Sequence, residues 1–268
     1  KKKKIKVPKY IETISKQFYI TKYNRIIIVQ EYIDGYTIEN NTGDYEKTIE
    51  SATILGKLLN AFKEYKELDD NNIIEKWFSK DYVQNGLKKM LELKNNLNQN
   101  NKFREDIEKD LDDKIEMSKY IIENFDFSII SKMTIQNTHG DYSVQQLIYN
   151  DEKETIVIDF ETAKKMPIAW EIIRSYSYID NQAKIGKMNL VTLKEYVREV
   201  MKYVKLNEYD LKYGIHLYLI QMLGSVYGYK QYNENFNNEN ILNFAFFRTN
   251  MCRYIFHNIQ NIQNTLME

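Results

Sequence analysis

Apolar residues follow two different periods along this chain, and the change of period separates a short β-rich start from a long helical remainder. Residues 17–21 and 25–30 are rich in β-branched and aromatic side chains, which favours strands. Residues 22–24 between them favour a turn, and the Asp-Gly pair that ends at Gly35 is a second turn signal. The first part of the chain is therefore predicted to be a small β structure.

Beyond Gly35, apolar residues recur every three or four positions, as they do on one face of a helix. Asp44 is a good N-cap residue for the first of these helices. A β-rich centre over residues 134–159 interrupts the helical pattern. Helical segments are predicted at residues 44–65, 73–97, 103–125, 168–181, 190–205, 208–230 and 239–265.

The composition allows a large buried core and gives no sign of a surface that binds nucleic acid or membranes. Hydrophobic residues make up 43% of the chain, and 38 basic residues balance 38 acidic ones. Nucleic-acid and membrane-surface binding would favour an excess of basic residues. The single cysteine, Cys252, cannot form an intrachain disulfide, and no apolar run approaches the ~20 residues of a membrane helix. We therefore expect a cytoplasmic protein without nucleic-acid or membrane partners.

The best candidates for catalytic and metal-binding residues lie in the β-rich centre. His139, Gly140 and Asp141 form a polar loop, two short apolar runs follow it, and Asp159 comes where the second run ends. Two carboxylates at neighbouring strand ends can divide their roles, one as a proton acceptor and the other as a metal ligand. Phosphoryl transfer needs such a pair, because its catalysis is mostly positioning and charge neutralisation.

Three blocks of the sequence resemble, in order and spacing, the aminoglycoside phosphotransferase and choline kinase superfamily of small-molecule kinases. Residues 28–35 resemble the strand and hinge between the two lobes, residues 139–161 the catalytic loop and metal-binding strand, and residues 167–174 the helix that follows. The resemblance implies an α+β, protein-kinase-like fold. Its partial N-terminal β lobe and hinge would cover residues 1–34, and a large, mainly helical C-terminal lobe would cover residues 35–268.

The resemblance also implies roles for individual residues. Asp141 matches the catalytic aspartate that orients or deprotonates the substrate hydroxyl, and Asp159 matches the aspartate that holds Mg²⁺. Gln146 stands where the family usually has an asparagine as the second metal ligand; its amide oxygen can also bind Mg²⁺, but its side chain is one methylene longer. At the hinge, the carbonyl of Glu31 and the N–H of Ile33 match the backbone groups that bind the nucleotide base.

The implied function is transfer of the γ-phosphate of ATP or GTP, with Mg²⁺, to a hydroxyl of an aminoglycoside, an amino alcohol or a sugar. A complete kinase of this type also has a glycine-rich loop and a phosphate-binding lysine. Either these lie upstream of Lys1 or the protein lacks them. That question and Gln146 leave an alternative open, a catalytically impaired kinase-like protein that binds nucleotide or a protein partner. The lysines of residues 1–4 are expected to form a solvated helix end.

Other polar and aromatic residues are expected to have structural roles. His139 should brace the catalytic loop, and Glu171 and Arg174 should support it through a local ion pair. His216 lies in an apolar helix and is expected in the core or at its edge. Core packing is also preferred over a substrate pocket for a set of rings in the helical part: Tyr213, Tyr218, Tyr227, Tyr229, Tyr232, Phe244, Phe246 and Phe247.

Overall fold

The computed structural model describes residues 5–69, 72–152 and 154–268, and its elements follow the predicted order of a β-rich start and a helical remainder. The lysines of residues 1–4, predicted to form a helix end, lie outside the described residues.

The β-rich start contains the predicted hairpin. Strand β1 (Ile20–Lys22) pairs antiparallel with β2 (Arg25–Ile27). The turn residues Tyr23 and Asn24 both have positive φ, 52° and 55°, which suits the twist of a tight two-residue hairpin turn. Residues 9–11 and 29–31 also pair, through an N–H bond from Ile11 to the carbonyl of Val29 (2.9 Å) and a second bond in the same ladder.

The helical remainder follows the predicted pattern closely. Its helices are α1 (Tyr45–Phe62), α2 (Ile73–Phe78), α3 (Lys80–Asn95), α4 (Arg104–Asn124), α5 (Ile168–Ile179), α6 (Leu190–Met201), α7 (Glu208–Leu223), α8 (Tyr229–Glu234) and α9 (Glu239–Met267). The predicted cap is present, since the side chain of Asp44 accepts the N–H of Lys47 at 2.7 Å.

One predicted helix is divided into two, and another ends several residues early. The helix predicted for residues 73–97 breaks at Ser79, whose extended backbone and side chain cap α3 by accepting the N–H of Tyr82 at 3.0 Å. The helix predicted for residues 208–230 ends near Gly224, where the ring of Tyr82 packs so closely that a Cβ would lie 1.9 Å from it. The first break lies at a capping serine and the second beside a close ring contact, and apolar periodicity indicates neither.

The β-rich centre is a pair of nested hairpins. The inner pair joins β4 (Leu147–Tyr149) to β5 (Thr155–Val157), and the outer pair joins β3 (Ile135–Thr138) to β6 (Lys164–Pro167), both antiparallel. Sequence reasoning missed β6, because its lysines do not show a strand pattern. The nesting makes the connection from β3 to β4 and the connection from β5 to β6 neighbours.

The N-terminal segment joins the inner hairpin on both sides. Tyr36 and Tyr149 exchange two backbone hydrogen bonds of 2.9 Å, and the N–H of Val157 donates to the carbonyl of Lys6 at 3.0 Å. Gly35 permits this approach, because a Cβ there would lie 2.5 Å from the carbonyl oxygen of Tyr149. The hinge predicted at Gly35 therefore lies directly against β4.

The hydrophobic core lies between α1, α5, α6, α7 and α9 and extends under the nested hairpins. Trp170 of α5 is buried against the rings of Trp77 and Phe78. No helix in the described ranges is both long and apolar enough to cross a bilayer. The predicted α+β architecture, a small β region with a large helical lobe, is confirmed.

His216 of α7 is packed at the edge of this core. Its ring stacks on Phe125 with centroids 5.1 Å apart and lies 5.4 Å from Tyr213. Its Nδ1 is buried and has no hydrogen-bond partner among the residues described. Burial lowers the pKa of His216 to about 4, and the nearby charge of Lys212 adds to the shift.

We predict that His216 makes the protein less stable in mild acid. The unfolded chain takes up a proton near the ordinary pKa of 6.5 and the folded protein only near 4, so stability present at pH 7 is lost through this window. Relative to His216→Gln, the wild-type free energy of unfolding should fall by about 3 kcal/mol between pH 7 and pH 4. Urea unfolding at each pH measures this difference. A parallel pH dependence in the two proteins would contradict it, and exposed His257→Gln is the matched control.

Candidate active site

The loop after β3 begins with His139, which joins the two connections of the nested hairpins. The side chain is fully buried, and its Nε2 lies 2.9 Å from the carbonyl oxygen of Ile158. A carbonyl can only accept, so Nε2 carries the hydrogen. The ring also packs on Phe160, with centroids 4.8 Å apart. His139 thus fixes the loop to the segment on either side of Asp159, the bracing role predicted for it.

Gly140 allows the loop to touch the opposite connection. Its φ is 84°, a conformation that favours glycine, and a Cβ there would lie 2.2 Å from the carbonyl oxygen of Thr162. The hydroxyl of Thr162 in turn donates to the carbonyl of His139 at 3.1 Å. A larger residue at Gly140 would push the two connections apart.

Glu171 of α5 binds the backbone at the start of this loop. Its carboxylate is fully buried and accepts the N–H of His139 at 3.1 Å and the N–H of Gly140 at 2.6 Å. Burial raises the pKa of the Glu171 carboxyl, and the His139 ring and the two N–H bonds oppose the shift. One side chain therefore satisfies two consecutive backbone donors of a loop that pairs with no strand of the described residues.

Arg174 follows on the same helix and holds Asp141. Its guanidinium forms an ion pair with the Asp141 carboxylate and donates to the carbonyl of Tyr142 at 3.1 Å. The local ion pair predicted between Glu171 and Arg174 is wrong for the described structure, because each side chain binds the loop separately. Arg174 is mostly buried, whereas the Asp141 side chain is 39% exposed and remains accessible.

Asp159 lies where the inner hairpin ends. The N–H of Ile158 donates to the backbone carbonyl of Gln146 at 3.0 Å, which extends the pairing of β4 with β5 by one step. Asp159 then turns into the left-handed region, with φ 67° and ψ 59°. Aspartate is one of the few side chains that tolerate this conformation. The carboxylate is exposed, and it has no protein partner within the described ranges.

Gln146 and Asp159 offer oxygen donors that fit a hard cation. The amide oxygen of Gln146 accepts a hydrogen bond from the Ser143 hydroxyl, but a carbonyl oxygen has a second lone pair for a metal. Mg²⁺ takes one or two protein oxygens and completes its shell with phosphate and water. The donor set therefore fits Mg²⁺. Among the residues described, no three His, Cys, Asp or Glu side chains come together as a metal cluster.

The predicted hinge groups lie on an open backbone. The N–H of Glu31 donates to the carbonyl of Lys9 and its carboxylate accepts the N–H of Lys9, both at 2.9 Å. The carbonyl of Glu31 and the N–H of Ile33 have no hydrogen bond in the part of the chain that the structure describes. Their role in binding a nucleotide base stays a prediction.

The aromatic residues predicted to pack in the core of the helical lobe differ in burial. Tyr218, Tyr229 and Tyr232 are buried, as predicted, whereas Tyr227 is 48% exposed, so the prediction is wrong for Tyr227. Phe244 and Phe247 are only partly buried and pack around Tyr178, with centroids 6.3 and 5.8 Å away. The guanidinium carbon of Arg174 lies 4.6 Å from the centroid of Tyr178, so these rings lie beside the arginine that holds Asp141.

Sequence reasoning did not find how Glu171 acts. The available signal was an acidic residue inside an apolar helical run, Ile-Ala-Trp-Glu-Ile-Ile. A buried carboxylate requires hydrogen-bond donors, and the nearest unpaired donors of such a fold are loop N–H groups.

We predict that Glu171→Gln loosens the catalytic loop. A neutral amide presents one acceptor oxygen and one NH₂, so one loop N–H loses its partner and meets another donor. The free energy of unfolding should fall by about 1–3 kcal/mol, as for other buried groups left unpaired. Amide hydrogen exchange at His139 and Gly140 should become faster. Unchanged exchange at both amides would contradict this account, and exposed Glu161→Gln serves as the control.

Comparison with known proteins finds similarity in structure only. No family model and no curated protein matches the sequence. Solved structures do match, at low sequence identity. An aminoglycoside phosphotransferase from Alicyclobacillus acidocaldarius is 13% identical with a TM-score of 0.67, over 97% of this chain and 78% of the other. A spectinomycin phosphotransferase in complex with ADP and spectinomycin is 10% identical with a TM-score of 0.61, over 98% and 79%.

An ethanolamine kinase from Plasmodium vivax also matches, at 14% identity and a TM-score of 0.58, over 96% of this chain and 70% of the other. Aminoglycoside phosphotransferases and an ethanolamine kinase thus align with nearly the whole chain, including the nested hairpins and the helical lobe. The chain therefore has the kinase-like fold of these small-molecule phosphotransferases, as the sequence resemblance predicts.

Proposed function

We propose that this protein transfers the γ-phosphate of a nucleoside triphosphate to a hydroxyl of a small molecule. The main support for the proposal is the accessible carboxylate of Asp141. Arg174 forms an ion pair with this carboxylate, and Glu171 accepts hydrogen bonds from the loop that carries it. A second accessible carboxylate, Asp159, lies on the neighbouring connection. The structures with the same fold include a spectinomycin phosphotransferase in complex with ADP and spectinomycin, which supports this kind of reaction.

Asp141 is the proposed proton acceptor. The acceptor hydroxyl oxygen would form a bond to the γ-phosphorus as the bond from that phosphorus to the β-phosphate oxygen breaks. The hydroxyl proton would pass to the Asp141 carboxylate, and the nucleoside diphosphate would leave. Arg174 binds one carboxylate oxygen of Asp141, and the other oxygen would accept the proton.

Asp159 and Gln146 are the proposed Mg²⁺ ligands. When bound, Mg²⁺ neutralises charge on the phosphates of the nucleotide. Ser143 donates a hydrogen bond to the Gln146 amide oxygen, and the Gln146 backbone carbonyl accepts the N–H of Ile158, the residue before Asp159. The carbonyl of Glu31 and the N–H of Ile33 would bind the base of ATP or GTP through the backbone.

The acceptor belongs to the general class of hydroxyl-bearing small molecules: an aminoglycoside, an amino alcohol or a sugar. Neighbouring structures include an aminopropanol kinase and an amicoumacin kinase in complex with AMP-PNP and Ca²⁺. We also propose that the protein acts in the cytoplasm, without nucleic-acid or membrane partners. Its zero net charge and its single, buried cysteine are compatible with that location.

Phosphoryl transfer by the full chain tests the proposal directly. The protein would be incubated with Mg²⁺, ATP or GTP, and a panel of aminoglycosides, amino alcohols and sugars, with product detected by ³¹P NMR. A phosphate ester that forms only with Mg²⁺ is the expected result. No Mg²⁺-dependent nucleotide binding and no phosphorylated acceptor would overturn the proposal.

Asp141→Asn and Asp159→Asn should lose different properties of the enzyme. An amide at Asp141 cannot take the proton, so turnover should fall by about 10²–10⁴-fold while nucleotide binding is kept. Asp159→Asn should also weaken the Mg²⁺ dependence of nucleotide binding, because a neutral oxygen is a poorer ligand for the ion. Steady-state kinetics and Mg²⁺ titrations measure the two effects. Asp112→Asn removes the aspartate of an exposed ion pair with Lys94 and is the control. Equal loss of nucleotide binding in both site variants would contradict the assigned roles.

Gln146 separates an active enzyme from the alternative, an impaired kinase-like protein that binds nucleotide or a protein partner. The bond from Ser143 to the Gln146 amide oxygen favours the alternative, since it occupies one lone pair of the proposed ligand. If the wild-type protein is an active enzyme, the turnover of Gln146→Asn should stay within about tenfold of the wild-type value, and the turnover of Gln146→Leu should fall at least about tenfold. If the wild-type protein is inactive and the Gln146→Asn variant is active, the alternative is established.

A further inference from the structure

The strand that contains β2 has one edge without a backbone partner. The residues that flank a two-residue hairpin turn exchange backbone hydrogen bonds, so the odd-numbered residues of β2 direct their N–H and C=O groups at β1. Val29 and Glu31 continue this alternation, because they bond to residues 9–11. The even-numbered residues of the range 26–30 therefore direct their backbone groups to the opposite edge, where the described residues supply no backbone partner.

This free edge, residues 26–30, is apolar and exposed. Its unpaired backbone groups belong to Ile26, Ile28 and Gln30, and the range contains no charged residue and no proline. The residues of the range 26–29 are between 40% and 69% exposed. Soluble proteins protect such edges with charges, proline, a bulge or a covering element, because an unpaired edge readily pairs with another strand. The free edge therefore has the properties of an interface.

The sequence of this strand is complementary to itself when two copies run antiparallel. A twofold axis at Ile28 places this residue opposite its own copy and Ile27 opposite Val29. The same axis places Arg25 opposite Glu31 at both ends of the pairing. Cross-strand neighbours are stabilised by apolar contact and by opposite charge, and like charges destabilise them. Parallel pairing in register would place each charge opposite a like charge, so the sequence favours the antiparallel arrangement.

We propose that two copies of this chain form a twofold-symmetric dimer in which their free edges pair antiparallel about Ile28. The backbone groups of Ile26, Ile28 and Gln30 form the hydrogen bonds between the copies, and one sheet then includes both β1–β2 hairpins. A twofold interface uses the same patch on both subunits, as a self-complementary strand does. The inference concerns assembly and does not depend on the proposed phosphoryl transfer.

Sedimentation equilibrium of the full chain measures this association. A contact made by one strand from each copy is small, and small interfaces are weak. We expect a reversible monomer–dimer equilibrium, in which the average mass rises from one chain toward two chains between about 1 μM and about 500 μM. A monomer at every concentration would leave the free edge to a different occupant and overturn the inference.

A proline at the centre of the free edge separates pairing between copies from folding. Ile28→Pro removes an N–H that points away from β1, and an edge strand tolerates proline when its N–H side faces solvent. The variant should keep the wild-type circular dichroism spectrum and dimerise at least roughly tenfold more weakly. Ile28→Val keeps the N–H and the branched side chain, so this matched control should dimerise like the wild type. Equal dimerisation of a folded Ile28→Pro variant and the wild type would overturn the inference.

Exchanged charges test the antiparallel register. Arg25→Glu alone sets two acids opposite each other at both ends, and Glu31→Arg alone sets two bases opposite each other. Each variant should therefore dimerise roughly tenfold or more weakly than the wild type. An equimolar mixture restores opposite charges at both ends and should form a mixed dimer, which also shows that both variants are folded.

The control for these variants is Lys184→Glu, an equal change of charge at an exposed residue of the helical lobe, which should leave dimerisation unchanged. Single variants that dimerise like the wild type, or a mixture that stays monomeric, would overturn the inference.

Discussion

Two consecutive loop N–H groups donate to the buried Glu171 carboxylate, and these hydrogen bonds are the constraint on which the site depends. His139 and Gly140 begin a loop that leaves the outer strand pair, and no strand of the described residues pairs with this loop. Backbone donors buried in this way require a partner, and a carboxylate is the strongest neutral-pH acceptor a side chain can supply. Because Glu171 belongs to α5, the loop takes its position from a helix packed in the middle of the core.

Other features of the site follow from that attachment. Arg174, on the same helix, reaches Asp141 and fixes its carboxylate without burying it. His139 and Gly140 then bring the loop against the segment that carries Asp159, through the bond to Ile158 and the close contact with Thr162. The nested strand pairs keep the two connections side by side. Two acids on separate connections are thus positioned by one helix and one set of strand pairs.

The sequence predicted the order of the elements, but not the contacts that position the candidate site. Asp141 and Asp159 are predicted because each follows an apolar run in a block that resembles the kinase superfamily, and their roles stay predictions. The hairpin at Tyr23 and Asn24 was predicted correctly because local turn preferences are strong. Strand β6 was missed because pairing with β3, and not its own apolar pattern, makes it a strand. The expected Glu171–Arg174 ion pair was wrong because local spacing cannot show that unpaired loop donors and Asp141 compete for the two side chains.

Glu171 and Arg174 hold the loop that carries Asp141, and we propose that Mg²⁺ and nucleotide bind beside this loop without releasing it. A crystal structure of the full chain with Mg²⁺ and a non-hydrolysable nucleotide tests this most directly. We expect the ion to be bound by Asp159 and the Gln146 amide oxygen, the base to lie at the backbone of Glu31 and Ile33, and the hydrogen bonds from the loop to Glu171 to be unchanged. Mg²⁺ or nucleotide bound away from Asp159, or a loop released from Glu171 in the complex, would contradict it.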